Sequence, residues 1–339
     1  MSSPFALRKP LPSGCLEGRR DSRKSRRPSR RGRSEAPAPQ AERTACSPRL
    51  VRRHFQTIAG LTALLASALP ALAASEPQRI VSLAPSLTET VFALGLGDRL
   101  VGVSVYCDYP PEAARIDRVG TFITPNVEAI VAKKPDVILA VPSPGNRSPV
   151  ESLEHLGFKI VVVDPLTLGG IKESIISIGD QLGRPERARE VVAEIDRRID
   201  ATRAKLAGVA QRKVLMVVGQ TPLIVAGSAT VQDEIIRLAG GINLGAAAGK
   251  GWPHVSIEYA IASAPEVIID STMGSEVRAG EESSAAFWKA FPTIPAVKEG
   301  RISGYRAYEV LRPGPRIGEA LEVIARFIHP ERFDGGDDH

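Results

Sequence analysis

Histidine and cysteine are scarce in this chain, with five and three copies in 339 residues. Beyond residue 73 the histidines are His155, His254, His329 and His339. No metal-ligand spacing relates them, so a protein-bound metal centre is not expected. Cys15 and Cys46 lie near the start, which leaves Cys107 alone in the body of the chain. A lone thiol forms no internal disulfide, and the expectation is a small buried core residue. Phosphate loops are missing too. Gly95-Leu96-Gly97 lacks the third glycine and the adjoining strand of a dinucleotide fingerprint, and fits a helix end plus turn. Ala226-Gly227-Ser228-Ala229 lacks the flanks of a nucleophile elbow. With no nucleophile–base pair to assemble, no catalytic residue is expected; the enzymatic alternative, a hydrolase, would need such a pair facing a cleft.

The formal net charge of +6 hints at nucleic-acid binding, but the excess sits at one end. Residues 1–73 carry 15 basic and 4 acidic side chains, a surplus of 11, so the remainder holds 29 basic against 34 acidic and is mildly negative. A nucleic-acid partner is therefore not expected. Residues 1–50, rich in Arg, Ser and Pro without hydrophobic period, form no core and are expected to be a disordered basic leader, with residue 51 as an alternative start. Arg52 and Arg53 precede a largely apolar run, residues 58–73, which ends in Ala71-Leu72-Ala73. This pattern predicts a secretory signal over 51–73, by the general or the twin-arginine route, with an uncleaved anchor as the alternative.

From Arg79 short apolar runs alternate with amphipathic stretches. Strands are predicted at 79–83, 100–103, 137–140, 159–163, 214–218, 267–270 and 301–304, and the helical stretches between them indicate parallel α/β layers. Ser86 and Glu89, three apart before Val91, Phe92 and Leu94, suggest a capping box. Ala188, Val191, Val192, Ile195, Ile199, Thr202 and Leu206 recur at helical spacing after Pro185, with Arg187, Glu190, Glu194, Arg197, Arg198 and Arg203 on the other face. This helix, spanning 181–208, is expected to connect an N-terminal lobe (79–180) to a C-terminal lobe (212–329), followed by a tail.

An internal repeat supports two lobes. Pro125-Asn126-Val127-Glu128 leads to Pro135-Asp136-Val137-Ile138, and Val255-Ser256-Ile257-Glu258 leads to Pro265-Glu266-Val267-Ile268. Each glutamate falls in a first helical turn, which the helix dipole alone would explain. Aromatic and cationic side chains stand in the loops flanking these elements: Tyr106, Phe122 and Trp252, with Tyr305, Tyr308 and Arg312 forming a further cluster. Loops at strand ends are where α/β sheets bind ligands.

The stretch from Val101 through Tyr106-Cys107-Asp108-Tyr109-Pro110-Pro111, the segment from Asn126 to Ile138, and Trp252-Pro253-His254-Val255-Ser256 resemble the vitamin B12 branch of the Fe/B12 periplasmic-binding family. The resemblance runs from about Arg79 to His329. It implies two Rossmann-like α/β lobes joined by one long helix, with the ligand in the cleft between them. It further implies a periplasmic, monomeric, non-enzymatic receptor that hands a corrinoid to the permease of an ABC importer; the corrinoid is cargo, not a cofactor. Haem or a ferric siderophore is the alternative cargo within the family. By the same resemblance Tyr106, Phe122, Trp252, Tyr308 and Arg312 are ligand-binding candidates, and Glu128 and Glu258 would dock on permease arginines. The chain departs from the family pattern at Phe122 (a tryptophan there), at Glu309 and Val310 (an aromatic pair) and at Val218 (a phenylalanine).

Overall fold

The computed structural model describes residues 76–271, 280–304 and 311–333. The expected leader and export signal, Tyr305, Tyr308, Glu309, Val310 and the last six residues lie outside the described residues.

The first lobe runs β1 (Ile80–Ser82), α1 (Pro85–Ala93), β2 (Leu100–Val103), α2 (Val127–Ala132), β3 (Val137–Ala140), α3 (Arg147–His155), β4 (Ile160–Val162) and α4 (Leu168–Gln181). Its sheet is wholly parallel in the order β2-β1-β3-β4, so the strand order reverses between β1 and β3. After α5 (Pro185–Lys205) the second lobe follows: β5 (Arg212–Gln220), β6 (Leu223–Val225), α6 (Val231–Leu238), β7 (Gly241–Asn243), α7 (Gly245–Ala248), α8 (Ile257–Ser263) and β8 (Val267–Asp270). It closes with α9 (Gly280–Lys289), α10 (Pro295–Lys298), β9 (Ile302–Gly304) and α11 (Ile317–Ile328). Here β8 covers one edge of β5 and β9 extends the sheet beyond it. Parallel β7 and antiparallel β6 share the other edge of β5. The strands β6 and β7 were not expected from the sequence. Each has only three residues, too few to show a period.

Successive side chains on the central strands alternate between apolar layers, as strands buried on both faces require. Ile80, Val137, Leu139, Val214, Met216, Val267 and Ile269 enter one cluster that also takes in Ala188, Val191, Ile195 and Ile199 of α5 and Ile317, Leu321 and Ile324 of α11. Their neighbours Val81, Ile138 and Ala140 face a second cluster, and Leu215, Val217 and Ile268 a third. The first cluster is therefore common to both lobes. A shared core of this kind opposes wide hinge motion, because separating the lobes would expose apolar area at about 25 cal/mol per Å². On its solvent side α5 carries Arg–Glu pairs at three- and four-residue spacing, and it is tied to α4 by Lys172–Asp196 and to α11 by Arg198–Glu319 at 3.5 Å.

The repeat is structural down to individual hydrogen bonds. Asn126 and Ser256 are N-caps whose side-chain oxygens accept from the N–H groups of Ala129 (2.8 Å) and Tyr259 (3.3 Å). Lys134 and Ala264, each with φ of 49°, end the two helical segments immediately before Pro135 and Pro265. The acid after each proline then receives the entering neighbour strand: Asp136 Oδ2 accepts from Arg79 N at 2.9 Å, and Glu266 Oε2 from Lys213 N at 2.8 Å.

The expected capping box at Ser86 and Glu89 is not formed. Helix α1 starts two residues earlier, with Ala84 as an extended N-cap and Pro85 at the first helical position, so Ser86 caps nothing. Glu89 is buried in mid-helix and serves another purpose, described below.

Candidate functional site

Three loops carry the candidate ligand residues. In the first, Ser104–Cys107 follows β2 and is held by Arg118, whose Nη1 donates to the carbonyls of Ser104 (3.1 Å) and Cys107 (2.7 Å). Cys107 turns inward and is fully buried, and Thr88 Oγ1 lies 3.1 Å from its sulfur. Tyr106, one residue before this anchor, is left 51% exposed.

Burial pushes the Cys107 thiol above its ordinary range. At neutral pH it is protonated and a poor nucleophile. Rising pH would ionise the unfolded thiol before the folded one, so this group opposes folding only as pH climbs through the ordinary thiol range. With Cys15 and Cys46 replaced by serine, native protein is expected to react slowly with Ellman's reagent, and denatured protein quickly. Fast labelling of Cys107 in the native state would contradict its assignment as core.

Phe122 sits half-buried on the first core cluster, with its ring centroid 6.2 Å from that of Tyr106 in an edge-to-face arrangement. Its backbone is fixed by buried Asn146, whose Nδ2 donates to the carbonyls of Phe122 (2.9 Å) and Val141 (2.8 Å). Asn146 comes from the loop after β3, beside the strand-order reversal, so a bound molecule there would meet a rigid aromatic shelf.

In the second lobe Trp252 is 44% exposed on a segment clamped at both ends. Gly227 N donates to Gly251 O at 2.8 Å, and Val225 N to Pro253 O at 3.1 Å. A Cβ on Gly227 would stand 2.4 Å from Gly249 O and 2.7 Å from Pro253 Cδ, so the close approach requires glycine. Neighbouring Ser228 donates its hydroxyl to Gly249 O at 3.1 Å and so serves the same clamp.

Arg312 is 12% exposed and makes two hydrogen bonds to Asp108, one from Nη2 to Oδ2 at 3.1 Å. Four residues on, Arg316 forms a two-pronged pair with Glu89 at 2.9 and 2.8 Å, and its guanidinium lies 3.8 Å from the Tyr109 ring centroid. Both arginines belong to the second lobe, and Asp108, Tyr109 and Glu89 to the first. The connecting residue Gly314 lies against α1, where an added Cβ would sit 3.3 Å from Ser86. A clasp of two ion pairs thus crosses from lobe to lobe. Asp108, Glu89 and Arg316 were not among the site residues expected from the sequence. One signal for Glu89 was present: it is the only charged residue in α1, a helix buried continuously from Ser86 to Val91.

A cavity of about 640 Å³ opens beside this clasp, lined by Glu89, Tyr109, Arg316 and residues of α5 including Arg187, Glu190 and Arg197. None of Tyr106, Phe122, Trp252 and Arg312 lines it, and its acidic and basic groups largely offset one another. Glu128 and Glu258 stand exposed at the second position of α2 and α8, equivalent points of the two lobes. The Ser256 hydroxyl, followed by a backbone N–H, holds the Glu258 carboxyl below the usual range, so it is charged at neutral pH. Among the described residues no cluster of three metal-ligating side chains occurs, and no helix is long and apolar enough to cross a membrane.

Two α/β lobes joined through one long helix, with half-exposed aromatic side chains mounted in their loops, make up the architecture of a two-lobed binding protein. Residues 80–309 match the periplasmic binding protein family, and the chain belongs to that family. It is 33% identical over 235 residues to a vitamin B12-binding protein of Yersinia pestis, covering 69% of this chain and 82% of the relative. A solved vitamin B12-binding protein of Vibrio cholerae superposes with a TM-score of 0.66 at 31% identity, covering 75% of this chain and 98% of that one. A haem-binding protein of Roseiflexus gives 0.67 at 27% identity, covering 75% and 99%.

Proposed function

We propose that this protein captures a corrinoid, cobalamin or a close analogue, in the cleft between its lobes and delivers it to the membrane permease of an ABC importer. On this reading it reaches the periplasm through the signal predicted at 51–73 and acts as a monomer. The ligand is carried unchanged. The observation that carries the proposal is that each lobe mounts an aromatic face on a braced loop, Tyr106 edge-to-face with Phe122 on one and Trp252 on the other. A corrin is a large stiff disc with an apolar face and amide-bearing rim. Fixed aromatic surfaces cover such a disc with little loss of conformational entropy. Arg312 and Tyr308 are proposed to meet its polar rim. Similarity to vitamin B12-binding proteins over most of the chain supports the choice of corrinoid.

Trp252→Ala should weaken corrinoid binding about tenfold or more, or roughly 1.4 kcal/mol, with the thermal midpoint unchanged because the ring is half exposed. Titrating purified protein with cyanocobalamin and dicyanocobinamide, followed by absorbance, gives the affinities, and thermal unfolding of the ligand-free samples gives the midpoints. Unaltered affinity would remove Trp252 from the site. Parallel titrations with haemin and a ferric siderophore decide the ligand class.

A further inference from the structure

Asp108 is the acidic partner of a residue proposed to contact the ligand, and the two differ sharply in exposure. The Arg312 side chain is 12% accessible and tucked behind the carboxylate, which is 57% accessible. The hydrogen bonds from Arg312 hold the Asp108 carboxyl below the usual carboxylate range, so it is ionised at neutral pH. A molecule arriving from solvent therefore meets the acid before the base. The neighbouring cations are also engaged: Arg316 pairs with Glu89 beneath Tyr109, and Arg118 directs Nη1 to the carbonyls of Ser104 and Cys107.

Building on the corrinoid reading, we infer that Asp108 is a specificity-determining residue. By engaging Arg312 it sets the cleft against macrocycles bearing carboxylates and leaves it open to those with an uncharged amide rim. The two flat tetrapyrrole classes differ in this respect. Haem carries two propionates, and either would have to displace Asp108 from Arg312 or lie against a like charge. A corrinoid rim is made of neutral amides, which accept from a guanidinium and donate to a carboxylate at once. Discrimination here comes from an element that repels the competitor as much as from contacts favouring the ligand.

Asp108→Asn keeps the shape and removes the charge at an exposed position. In titrations of purified protein the variant is expected to bind haemin about tenfold more tightly than the unmodified protein, while dicyanocobinamide gains nothing, so that the ratio of haemin to corrinoid affinity rises at least about tenfold. The dimethyl ester of haemin, the same ring without its charges, should show no gain. The double variant Asp108→Asn with Arg312→Gln should lose the gain, which places it at the guanidinium. An independent check needs no variant: unmodified protein should bind the dimethyl ester at least as well as haemin itself. Equal haemin affinity in Asp108→Asn and unmodified protein, or an equal gain for the ester, overturns the inference. Failure of the unmodified protein to bind any corrinoid sinks the proposed function instead, and the haemin comparison still decides the role of Asp108.

Discussion

Replacing Glu89 with alanine is expected to lower the stability of the folded protein by about 3 kcal/mol, the size of effect seen when one partner of a buried ion pair is removed. Glu89 is 3% exposed and receives both prongs of the Arg316 guanidinium, which is itself stacked on Tyr109. Without the carboxylate, a cation stays in a poorly solvated position between the lobes. In a domain of roughly this size each kcal/mol shifts the thermal midpoint by about 2–4 °C, so the loss is readily measured. The double variant Glu89→Met with Arg316→Met should recover most of it, since an apolar pair fills the space without leaving a charge behind. A midpoint in Glu89→Ala within a degree of the unmodified protein would show that the clasp does not hold the lobes.

Reversing Glu128 and Glu258 to arginine together is expected to abolish ligand uptake in cells while leaving the affinity of the purified protein within about twofold. Both carboxylates are exposed, both stand at the second position of capped helices, and neither takes part in the hydrogen bonds that clamp the Trp252 segment. Two negative points on equivalent faces of a rigid pair of lobes can register on two positive points of a permease. Charges so placed govern encounter and orientation more than the stability of either partner. Uptake that survives the double reversal would remove the docking role without touching the assignment of the ligand.

The sequence was most informative where periodicity was long or a motif was duplicated. The ends of β2, β3 and β8 match their predicted spans to the residue, because each is a short, mainly apolar run bounded by loop residues. The buried face of α5 follows the predicted three- and four-residue steps over five turns. The duplicated Glu-to-Pro segments turned out to be the same cap, helix, left-handed residue and strand clamp in both lobes. What stayed hidden depends on long-range contact. Nothing near Glu89 in the chain reveals a partner 227 residues away, and a local rule for helix starts assigned it to a cap instead. The pairing of Asp108 with Arg312, 204 residues apart, is hidden for the same reason. Short β6 and β7 exist because β5 offers them an edge, not because their own sequences insist on extension.

The most direct test of the account is an absorbance titration of the purified protein with cyanocobalamin, followed by recovery of the ligand. The account predicts saturable binding at one molecule per chain, loss of affinity in Trp252→Ala, and a ligand released chemically unchanged. Absence of corrinoid binding, or a ligand altered on release, would contradict it.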